Sequence, residues 1–174
     1  MAVRFCLGPH TTILIRQRHR LFNLKVPKGI KMAYIWGKGI GVLADKNFKS
    51  GETAIHFRAD TVPNSKASPE AVRIDEKWSY DTKWLTAEAF MNHSCDPNTK
   101  LDVAKKSYVA IKPIKKNEEL TFNYNTTEWE SSGFECACGS KKCYGAVKGL
   151  KHLSRKRQEE LKPYLLPFLR KKLK

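Results

Sequence analysis

Three cysteines crowd into eight residues near the C-terminal end of the chain, at Cys136, Cys138 and Cys143. Thiolate sulfur is a preferred zinc ligand, and a closed structural zinc site takes four ligands. The spacing therefore predicts a structural zinc site that one further side chain completes. The residues alone leave four candidates for that fourth ligand, namely Cys6, His93, Cys95 and His152.

Three further segments carry residues that suit a ligand site: 39–44 (GIGVLA), 92–98 (NHSCDPN) and 118–124 (EELTFNY). Gly39 and Gly41 have no Cβ, so both are expected to adopt a positive φ and to let the backbone approach a ligand closely. A lone Gly-x-Gly is nevertheless more often an ordinary turn. The first segment alone is therefore weak support for a site.

The other two segments also have ordinary structural interpretations. Asn92 and His93 place an amide beside an imidazole, yet Asn, Ser, Asp and Pro together favour turns. Tyr124 is expected to pack in the core with its hydroxyl bonded, as a tyrosine in a strand commonly does. Phe122 precedes Tyr124 by two residues, so the two side chains share one face of a strand.

In this order and spacing, the three segments resemble the SET-domain family of protein-lysine methyltransferases, from about residue 31 to residue 149. The cysteine cluster is similar to the family's post-SET segment. The resemblance implies methyl transfer from S-adenosylmethionine to a lysine ε-amine. It also implies a mainly β (α+β) SET fold of several small sheets, with a knot-like threading in which the Asn92 segment and the strand of Phe122 pass each other.

The resemblance also assigns residues to the cofactor. It implies backbone contacts from the loop of Lys38, Gly39, Ile40 and Gly41, and contacts from Asn92 and His93 to the amino-acid and adenine ends. The family often has an aromatic residue where this chain has Ile40. It commonly has an arginine where this chain has Ala89, so one cofactor contact of the family has no counterpart here.

The resemblance implies that Tyr124 is the catalytic residue. The attacking lysine nitrogen must be neutral, although a free lysine has a pKa of about 10.4. A dry aromatic channel disfavours the ammonium ion, and the Tyr124 hydroxyl is expected to align the amine and to contact the cofactor at its electron-poor methyl group. The family uses the position of Phe122 as a size switch, so phenylalanine implies di- or trimethylation. Trp129 and Phe134 are candidate walls of the channel.

The resemblance places the fourth zinc ligand in the Asn-His-Ser-Cys motif, which selects Cys95. Zinc would then join Cys95 to Cys136, Cys138 and Cys143 and fold residues 130–149 over the cofactor and the lysine channel. Four thiolates leave no open coordination position, so the metal is expected to be structural.

Short β-branched and aromatic runs, separated by turn residues, predict many strands and few helices. Thr86 is expected to cap a helical turn through Met91, and Ser154 a helix through Leu161 that Pro163 stops. A loop is expected at 60–72, and strands are expected at 12–15, 34–36, 42–44, 53–57, 107–111 and 119–122. The division of the chain is expected to be an N-terminal strand region (1–30), a SET domain (31–129), a post-SET zinc segment (130–149) and a basic helical tail (150–174).

The chain is strongly basic: among 174 residues, 33 Lys and Arg oppose 17 Asp and Glu, for a formal charge of +16. Such an excess either keeps the surface soluble or attracts acidic partners, nucleic acid above all. No apolar run approaches the roughly 20 residues that span a bilayer, so no membrane association is expected.

The expected substrate is a lysine-containing protein, either a histone or another basic nucleic-acid-associated protein, with weak non-specific nucleic-acid binding besides. The first nine residues have too short an apolar stretch for a secretory signal, which favours an intracellular, reducing compartment: cytoplasm, or nucleus in a eukaryote. The alternative is a catalytically inactive, basic, zinc-containing module that binds nucleic acid or another protein.

Overall fold

The computed structural model of the protein describes residues 26–68, 71–81 and 86–173. The predicted strand at 12–15 and Cys6 lie outside these ranges. Within them the strands are β1 (Ile30–Ile35), β2 (Gly39–Ala44), β3 (Thr53–His56), β4 (Asp60–Pro63), β5 (Val72–Arg73), β6 (Trp78–Asp81), β7 (Asn92–His93), β8 (Thr99–Asp102), β9 (Ser107–Ala110), β10 (Thr121–Phe122), β11 (Phe134–Glu135) and β12 (Ala146–Val147).

Helices are few and short. The two α-helices of the described residues are α1 (Arg155–Leu161) and α2 (Pro167–Lys172). Single 3-10 turns occupy Asn64–Lys66, Ala87–Phe90, Tyr124–Thr126, Leu150–His152 and Lys162–Tyr164. In the part of the chain that the structure describes, no helix is both long and apolar enough to cross a membrane.

Antiparallel strands β1 and β2 form a hairpin whose register runs from Ile30 opposite Ala44 to Ile35 opposite Gly39. Gly37 and Gly39 have φ of 75° and 86°, the left-handed conformation that a tight reversal needs and that glycine tolerates. The tip of the hairpin projects into solvent, where Trp36 is 91% exposed. The base is anchored in the core through Ile30, Ala44 and neighbouring apolar residues.

The centre of the core is the three-stranded antiparallel sheet β3-β9-β8. All four residues of β9 are buried, as expected for a central strand covered on both faces. The predicted strands at 53–57 and 107–111 are confirmed within one residue at their ends. Tyr108 of β9 packs against Phe57 on one side and Phe122 of β10 on the other, with ring centroids 5.8 and 5.0 Å apart.

Strand β10 runs parallel to β7, with Thr121 beside Asn92 and Phe122 beside His93. The side chain of Asn98 reinforces this pair, because its amide nitrogen donates to Glu119 O at 2.8 Å and its amide oxygen accepts from Thr121 N at 2.9 Å. The two segments that the resemblance predicted to pass each other therefore lie side by side. The predicted strand at 119–122 is longer than β10, because the residues before Thr121 bond to β2 instead: Leu120 N donates to Val42 O at 2.8 Å.

Two expectations about the secondary structure of residues 60–91 are wrong. Residues 60–72 are not one loop, because β4 pairs with β6 from Asp60 opposite Asp81 to Pro63 opposite Trp78, and β5 pairs with the other edge of β6. The turn at Ala87–Phe90 begins after Thr86 as predicted, but the Thr86 side chain makes no capping hydrogen bond.

The C-terminal segment folds back onto the domain. Ser154 caps α1 as predicted, since its hydroxyl accepts from Arg157 N at 3.4 Å. Helix α2 was not predicted; it begins at Pro167 and buries Phe168 and Leu169. Leu166 N donates to Thr126 O at 3.2 Å, so this segment packs directly against the turn that begins at Tyr124.

Candidate active site and metal centre

His93 and Tyr124 meet where β7 and β10 lie side by side. The Tyr124 backbone N–H donates to His93 Nδ1 at 3.1 Å, and the two rings are 5.2 Å apart. Burial, and to a lesser degree the charge of Lys38, lowers the pKa of His93 to about 4. The imidazole is therefore neutral at physiological pH. Because Nδ1 accepts a hydrogen bond, the ring proton is on Nε2.

The Tyr124 hydroxyl is held at a fixed point. It donates to Met91 O at 2.7 Å, directly before the Asn92–His93 strand. The ring lies between Phe122 and Phe134, with centroids 4.8 and 6.1 Å away. Tyr124 and Phe134 also line a mainly apolar cleft together with Val72 and Val147. Tyr124 thus connects the cleft, which it helps to line, with the segment that carries Asn92.

The other aromatic candidates occupy different places. Phe122 is 1% exposed and contacts the Tyr124 ring from the core, and it does not line the cleft. Phe134 lines the cleft as predicted. Trp129 is partly buried against the core, and its ring faces Lys172 of α2, whose Nζ is 5.6 Å from the ring centroid. Of the two predicted walls, the structure therefore places only Phe134 at this cleft.

Asn92 is held by a charged pair on neighbouring elements. Its Nδ2 donates to Glu119 Oε1 at 2.8 Å, and Glu119 Oε2 lies 2.6 Å from Lys38 Nζ. The Lys38 and Glu119 side chains are only 17% and 16% exposed. Asn92 Nδ2 also reaches Ile40 O at 3.4 Å. The predicted cofactor residues of the hairpin and of β7 are therefore neighbours, linked through a glutamate.

The two glycines of the hairpin differ from each other. Gly39 has a φ of 86°, and a Cβ there would meet no atom within 4 Å. Gly41 lies inside β2 and does not have a positive φ, so the prediction for this glycine is wrong in its reason. A Cβ on Gly41 would lie 2.7 Å from Asn92 Nδ2 and 3.1 Å from Glu119 Oε1. Gly41 is therefore small because the Asn92–Glu119 hydrogen bond passes directly over it.

Open space at Gly39 and a partly bonded Asn92 amide fit a polar ligand on this side of β7. In the described ranges, Asn92 Oδ1 has no hydrogen-bond donor, while Nδ2 has two acceptors. The Ile40 carbonyl lies 3.4 Å from the other end of this amide, at Nδ2. The resemblance assigns one end of the cofactor to the Asn92–His93 segment, and that assignment stays a prediction.

The four predicted sulfurs come together. The Sγ atoms of Cys95, Cys136, Cys138 and Cys143 all lie within 4.8 Å of one another, and Cys95 Sγ is 3.7 Å from Cys136 Sγ. Tetrahedral zinc with Zn–S bonds of about 2.3 Å separates its sulfurs by about 3.8 Å. The donor set and its spacing therefore fit one zinc ion with no open position.

Hydrogen bonds to the sulfurs support thiolate ligands. Tyr144 N and Gly145 N donate to Cys95 Sγ at 3.3 Å and to Cys143 Sγ at 3.4 Å. Burial raises the pKa of Cys95, and it raises that of Cys136 to about 12. Burial acts on Cys138 too, but hydrogen bonds from backbone groups and from the neighbouring thiols together outweigh it and lower the pKa to about 7. A divalent cation supplies the charge that ionises the whole cluster.

The structure also separates the candidates for the fourth ligand. His93 Nε2, which carries the proton, faces Cys95 Sγ at 3.2 Å, and its other nitrogen already accepts from Tyr124 N. The imidazole therefore serves as a donor to the sulfur, an arrangement that supports metal sites from outside the ligand shell. His152 lies beside Glu130, with Nε2 3.4 Å from the carboxylate. Cys95 is the candidate that joins the other three sulfurs.

Tyr144 connects the cysteine cluster to its surroundings. Its hydroxyl donates to Cys95 O at 3.3 Å and accepts from Asn123 Nδ2 at 3.4 Å, and Arg157 of α1 lies over its ring at 5.3 Å. Burial raises the pKa of Tyr144 to about 12. The sequence analysis missed Tyr144, Glu119 and Asn98. A charged residue beside the apolar run of β10 was the available signal for Glu119, whereas nothing local distinguishes Tyr144.

A sequence profile of the SET domain matches residues 39–125, half of the chain. A Mycosarcoma maydis protein named histone-lysine N-methyltransferase, H3 lysine-36 specific, is 42% identical over 66 residues, which is 34% of this chain and 7% of that protein. An Emericella nidulans protein named histone-lysine N-methyltransferase, H3 lysine-4 specific, is 32% identical over 127 residues, 60% of this chain and 10% of that protein. The histone-lysine N-methyltransferase mes-4 of Caenorhabditis elegans is 29% identical and covers 70% of this chain, which spans 17% of it.

The fold matches solved structures as well. KRYPTONITE in complex with mCHH DNA, an H3(1-15) peptide and SAH superimposes with a TM-score of 0.57 and 18% identity, over 70% of this chain and 30% of that one. The chain spans only 7% to 10% of the Mycosarcoma and Emericella relatives. The matched profile includes β2 with its two glycines, β7, β10 and Tyr124. The chain belongs to the SET-domain family.

Proposed function

We propose that the chain is an S-adenosylmethionine-dependent protein-lysine N-methyltransferase. The observation that carries the proposal is the position of the Tyr124 hydroxyl, bonded to Met91 O next to the Asn92 segment while its ring lines an apolar cleft. A hydroxyl at that junction serves two neighbouring ligands at once. The names of the sequence relatives give independent support.

The cofactor side consists of the hairpin tip and β7. When bound, S-adenosylmethionine supplies a methyl group on a positively charged sulfur, which is electron-poor and open to attack by an amine. Gly39 leaves room for a ligand against the backbone, and Asn92 Oδ1 is an acceptor suited to an ammonium group. His93 contributes a neutral ring and fixes the backbone of Tyr124. Lys38 and Ile40 contribute backbone groups.

The lysine side is the cleft beside Tyr124. Val72, Phe134 and Val147 supply apolar surface, which disfavours the ammonium form of an entering lysine. The Tyr124 hydroxyl accepts from the entering amine and orients its lone pair, which is a contribution of position and not of acid–base chemistry. The lysine releases its proton to bulk water before attack, so the chain needs no strong base at this point.

Phe122 is proposed to set the number of methyl groups. It contacts the Tyr124 ring, and phenylalanine has no hydroxyl that would retain a water beside the amine. Di- or trimethylation is therefore the expected product.

Zinc is proposed to hold the residue 130–149 segment over the site. Cys95 follows the Asn92–His93 strand by two residues, whereas the other three ligands lie on the segment that contains Phe134. Binding of the metal joins these two parts, so it positions one wall of the cleft relative to Tyr124.

The proposed substrate is a lysine in the tail of histone H3, and the proposed compartment is the nucleus. Two relatives carry H3 specificity in their names, and KRYPTONITE was solved with an H3(1-15) peptide. A chain with a formal charge of +16 is also attracted to DNA, which would bring it to a nucleosomal substrate. From Lys141 to the end, twelve Lys and Arg oppose two Glu.

This attraction is testable on the tail. Lys156 and Lys171 are exposed and are suitable positions for charge removal. Arg157 is unsuitable, because it pairs with Glu160 at 2.7 Å and stacks on Tyr144. Changing Lys156 and Lys171 to Gln is expected to weaken DNA binding and reduce its salt dependence, while activity on a short peptide remains. DNA binding absent in the unchanged protein at low salt would contradict this part of the proposal.

The activity itself is tested by incubating the protein with methyl-labelled S-adenosylmethionine and, in separate reactions, free histone H3, nucleosomes or a nuclear extract. The expected result is label on a lysine of H3, located by mass spectrometry. Label on another protein of a nuclear extract, with none on H3, would contradict the substrate and leave the reaction standing. No cofactor binding and no transfer to any protein would favour the inactive binding module.

A further inference from the structure

A partly buried chain of three polar groups joins the hairpin, β7 and Glu119, which lies two residues before β10. Lys38 Nζ lies 2.6 Å from Glu119 Oε2, and Glu119 Oε1 lies 2.8 Å from Asn92 Nδ2. Most ion pairs of the described residues are much more exposed; Lys31 and Asp45, for example, are 3.9 Å apart with side chains 42% and 48% exposed. Exposed pairs of that kind contribute little to stability, whereas enclosed hydrogen-bonded charges fix geometry strongly.

The chemistry of the neighbours determines which way the Asn92 amide points. Both groups within reach of one end, Glu119 Oε1 and Ile40 O, accept hydrogen bonds only. The NH2 end must therefore face them, and Oδ1 must face away. A carboxylate paired with an ammonium ion has no proton to donate, so Lys38 keeps Glu119 an acceptor.

We propose that Glu119 is a positioning residue for the cofactor: held by Lys38, it fixes the Asn92 amide so that Oδ1 is presented to an ammonium group. The inference rests on the proposed function, since the ligand with the ammonium group is S-adenosylmethionine. Glu119 itself touches neither the cofactor nor the lysine. Gly41 is part of the same arrangement, because any side chain there would collide with the hydrogen-bonded Asn92 and Glu119 side chains.

The proposal predicts an unusual pattern of variants. In Glu119→Gln the new side chain has one carbonyl oxygen for two donors, and the Lys38 ammonium competes for it more strongly than Asn92 does. The NH2 of Gln then faces the NH2 of Asn92, and the Asn92 amide loses its orientation. Removing the competitor in Lys38→Met/Glu119→Gln returns the carbonyl to Asn92. A second substitution that removes another charge should therefore restore what the first one lost.

The experiment measures the dissociation constant of S-adenosylmethionine by calorimetry, together with KM, kcat and thermal unfolding. Glu119→Gln is expected to bind the cofactor about tenfold more weakly, the loss of one hydrogen bond to a charged group. The double variant is expected to bind close to wild type, and Lys38→Met/Glu119→Leu, which has no acceptor, is expected to stay weak. KM for the cofactor should follow the dissociation constant, and kcat at saturating cofactor should be retained. Lys31→Gln is the matched control, because it removes a charge from the same hairpin and should leave affinity unchanged.

The outcomes separate cleanly. Equal affinity in wild type and Glu119→Gln, or a double variant as weak as Glu119→Gln, would overturn the inference while leaving the proposed function intact. Absence of binding by the wild-type protein would overturn the proposed function and this inference with it. If Glu119→Gln does not fold, the two double variants test the same point, because neither carries an unpaired charge at this position. Lys38→Met/Glu119→Gln keeps an acceptor for the Asn92 amide and should bind the cofactor more tightly than Lys38→Met/Glu119→Leu, which has none.

Discussion

Replacing Gly41 with alanine tests how closely the hairpin and β7 fit together. The added Cβ would lie 2.7 Å from both Asn92 Nδ2 and Ile35 Cγ1, and 3.1 Å from Glu119 Oε1. The optimal separation of non-bonded carbon atoms is about 3.5–4.0 Å, so the Asn92 and Ile35 side chains must move by roughly an ångström. Overpacking of this kind costs about 1–3 kcal/mol of folding free energy.

The effect on the cofactor can be estimated from the contact that is lost. If the Asn92 amide moves away from Glu119, a hydrogen bond to a charged group is broken, with a value of about 1.5–3 kcal/mol. An amide that has lost this orientation is expected to bind the cofactor at least about tenfold more weakly. Titration calorimetry with S-adenosylmethionine measures this directly, and urea unfolding measures the stability change separately.

Gly51→Ala is the matched control for this variant. Gly51 has a φ of 86° and nothing within 4 Å of its missing Cβ, so alanine there strains the backbone without crowding any side chain. A strained position of this kind costs about 1–3 kcal/mol, which is similar to the expected cost at Gly41. Gly51→Ala should therefore lower stability and keep cofactor affinity. If Gly41→Ala also loses stability alone and binds the cofactor as tightly as wild type, the reasoning about the Asn92 contact is refuted.

Three further predictions concern the metal, a buried acid and the product. One zinc per chain is expected by elemental analysis, and chelation should reduce methyl transfer at concentrations that leave the β-sheet circular dichroism signal intact; metal-free protein of full activity would contradict this. Burial raises the pKa of Glu88, so its stabilising contribution is present below its unfolded pKa of about 4.3 and is lost as pH rises through the folded value. Glu88→Gln should therefore be more stable than wild type at pH 7 and not at pH 4 by urea unfolding, and an equal difference at both pH values would exclude the effect. Phe122→Tyr should shift the product towards monomethyl-lysine by mass spectrometry, and an unchanged product distribution would remove Phe122 from product control.

Elements whose signals are local were predictable from the sequence. The strand at 107–111 and the helix after Ser154 have their β-branched run, cap and proline within a few residues, and both are confirmed. Strand β4 was missed because Asp60 and Pro63 at its two ends are poor strand formers, and because its partner β6 lies some fifteen residues later. Helix α2 was missed because its six residues are stabilised by burial of Phe168 and Leu169, which is not visible in the sequence.

The candidate site was likewise predictable only where its signals are local in the sequence. The cysteine spacing alone predicted three sulfurs that the structure brings together, but choosing Cys95 required a family resemblance, because it precedes the others by about forty residues. The side-chain contacts between different elements could not be predicted from the sequence. Glu119 bonds to Asn92 and Lys38, which are 27 and 81 residues away in the sequence. No local sequence pattern indicates a contact between residues so far apart along the chain. The role of Gly41 was misjudged for the same reason, since its crowding comes from Asn92.

The central claim is that the Tyr124 hydroxyl positions a lysine for methylation, and Tyr124→Phe tests it most directly. The variant removes the hydroxyl that bonds to Met91 O and keeps the ring between Phe122 and Phe134. The measurement is the single-turnover rate of methyl transfer to an H3 peptide that the wild-type protein methylates, with cofactor affinity determined on the same samples. We predict that the rate falls by at least about a hundredfold, which is the size of effect expected when a reacting group loses its positioning. The affinity for S-adenosylmethionine should be nearly unchanged. A variant that transfers methyl groups at the wild-type rate would contradict the account.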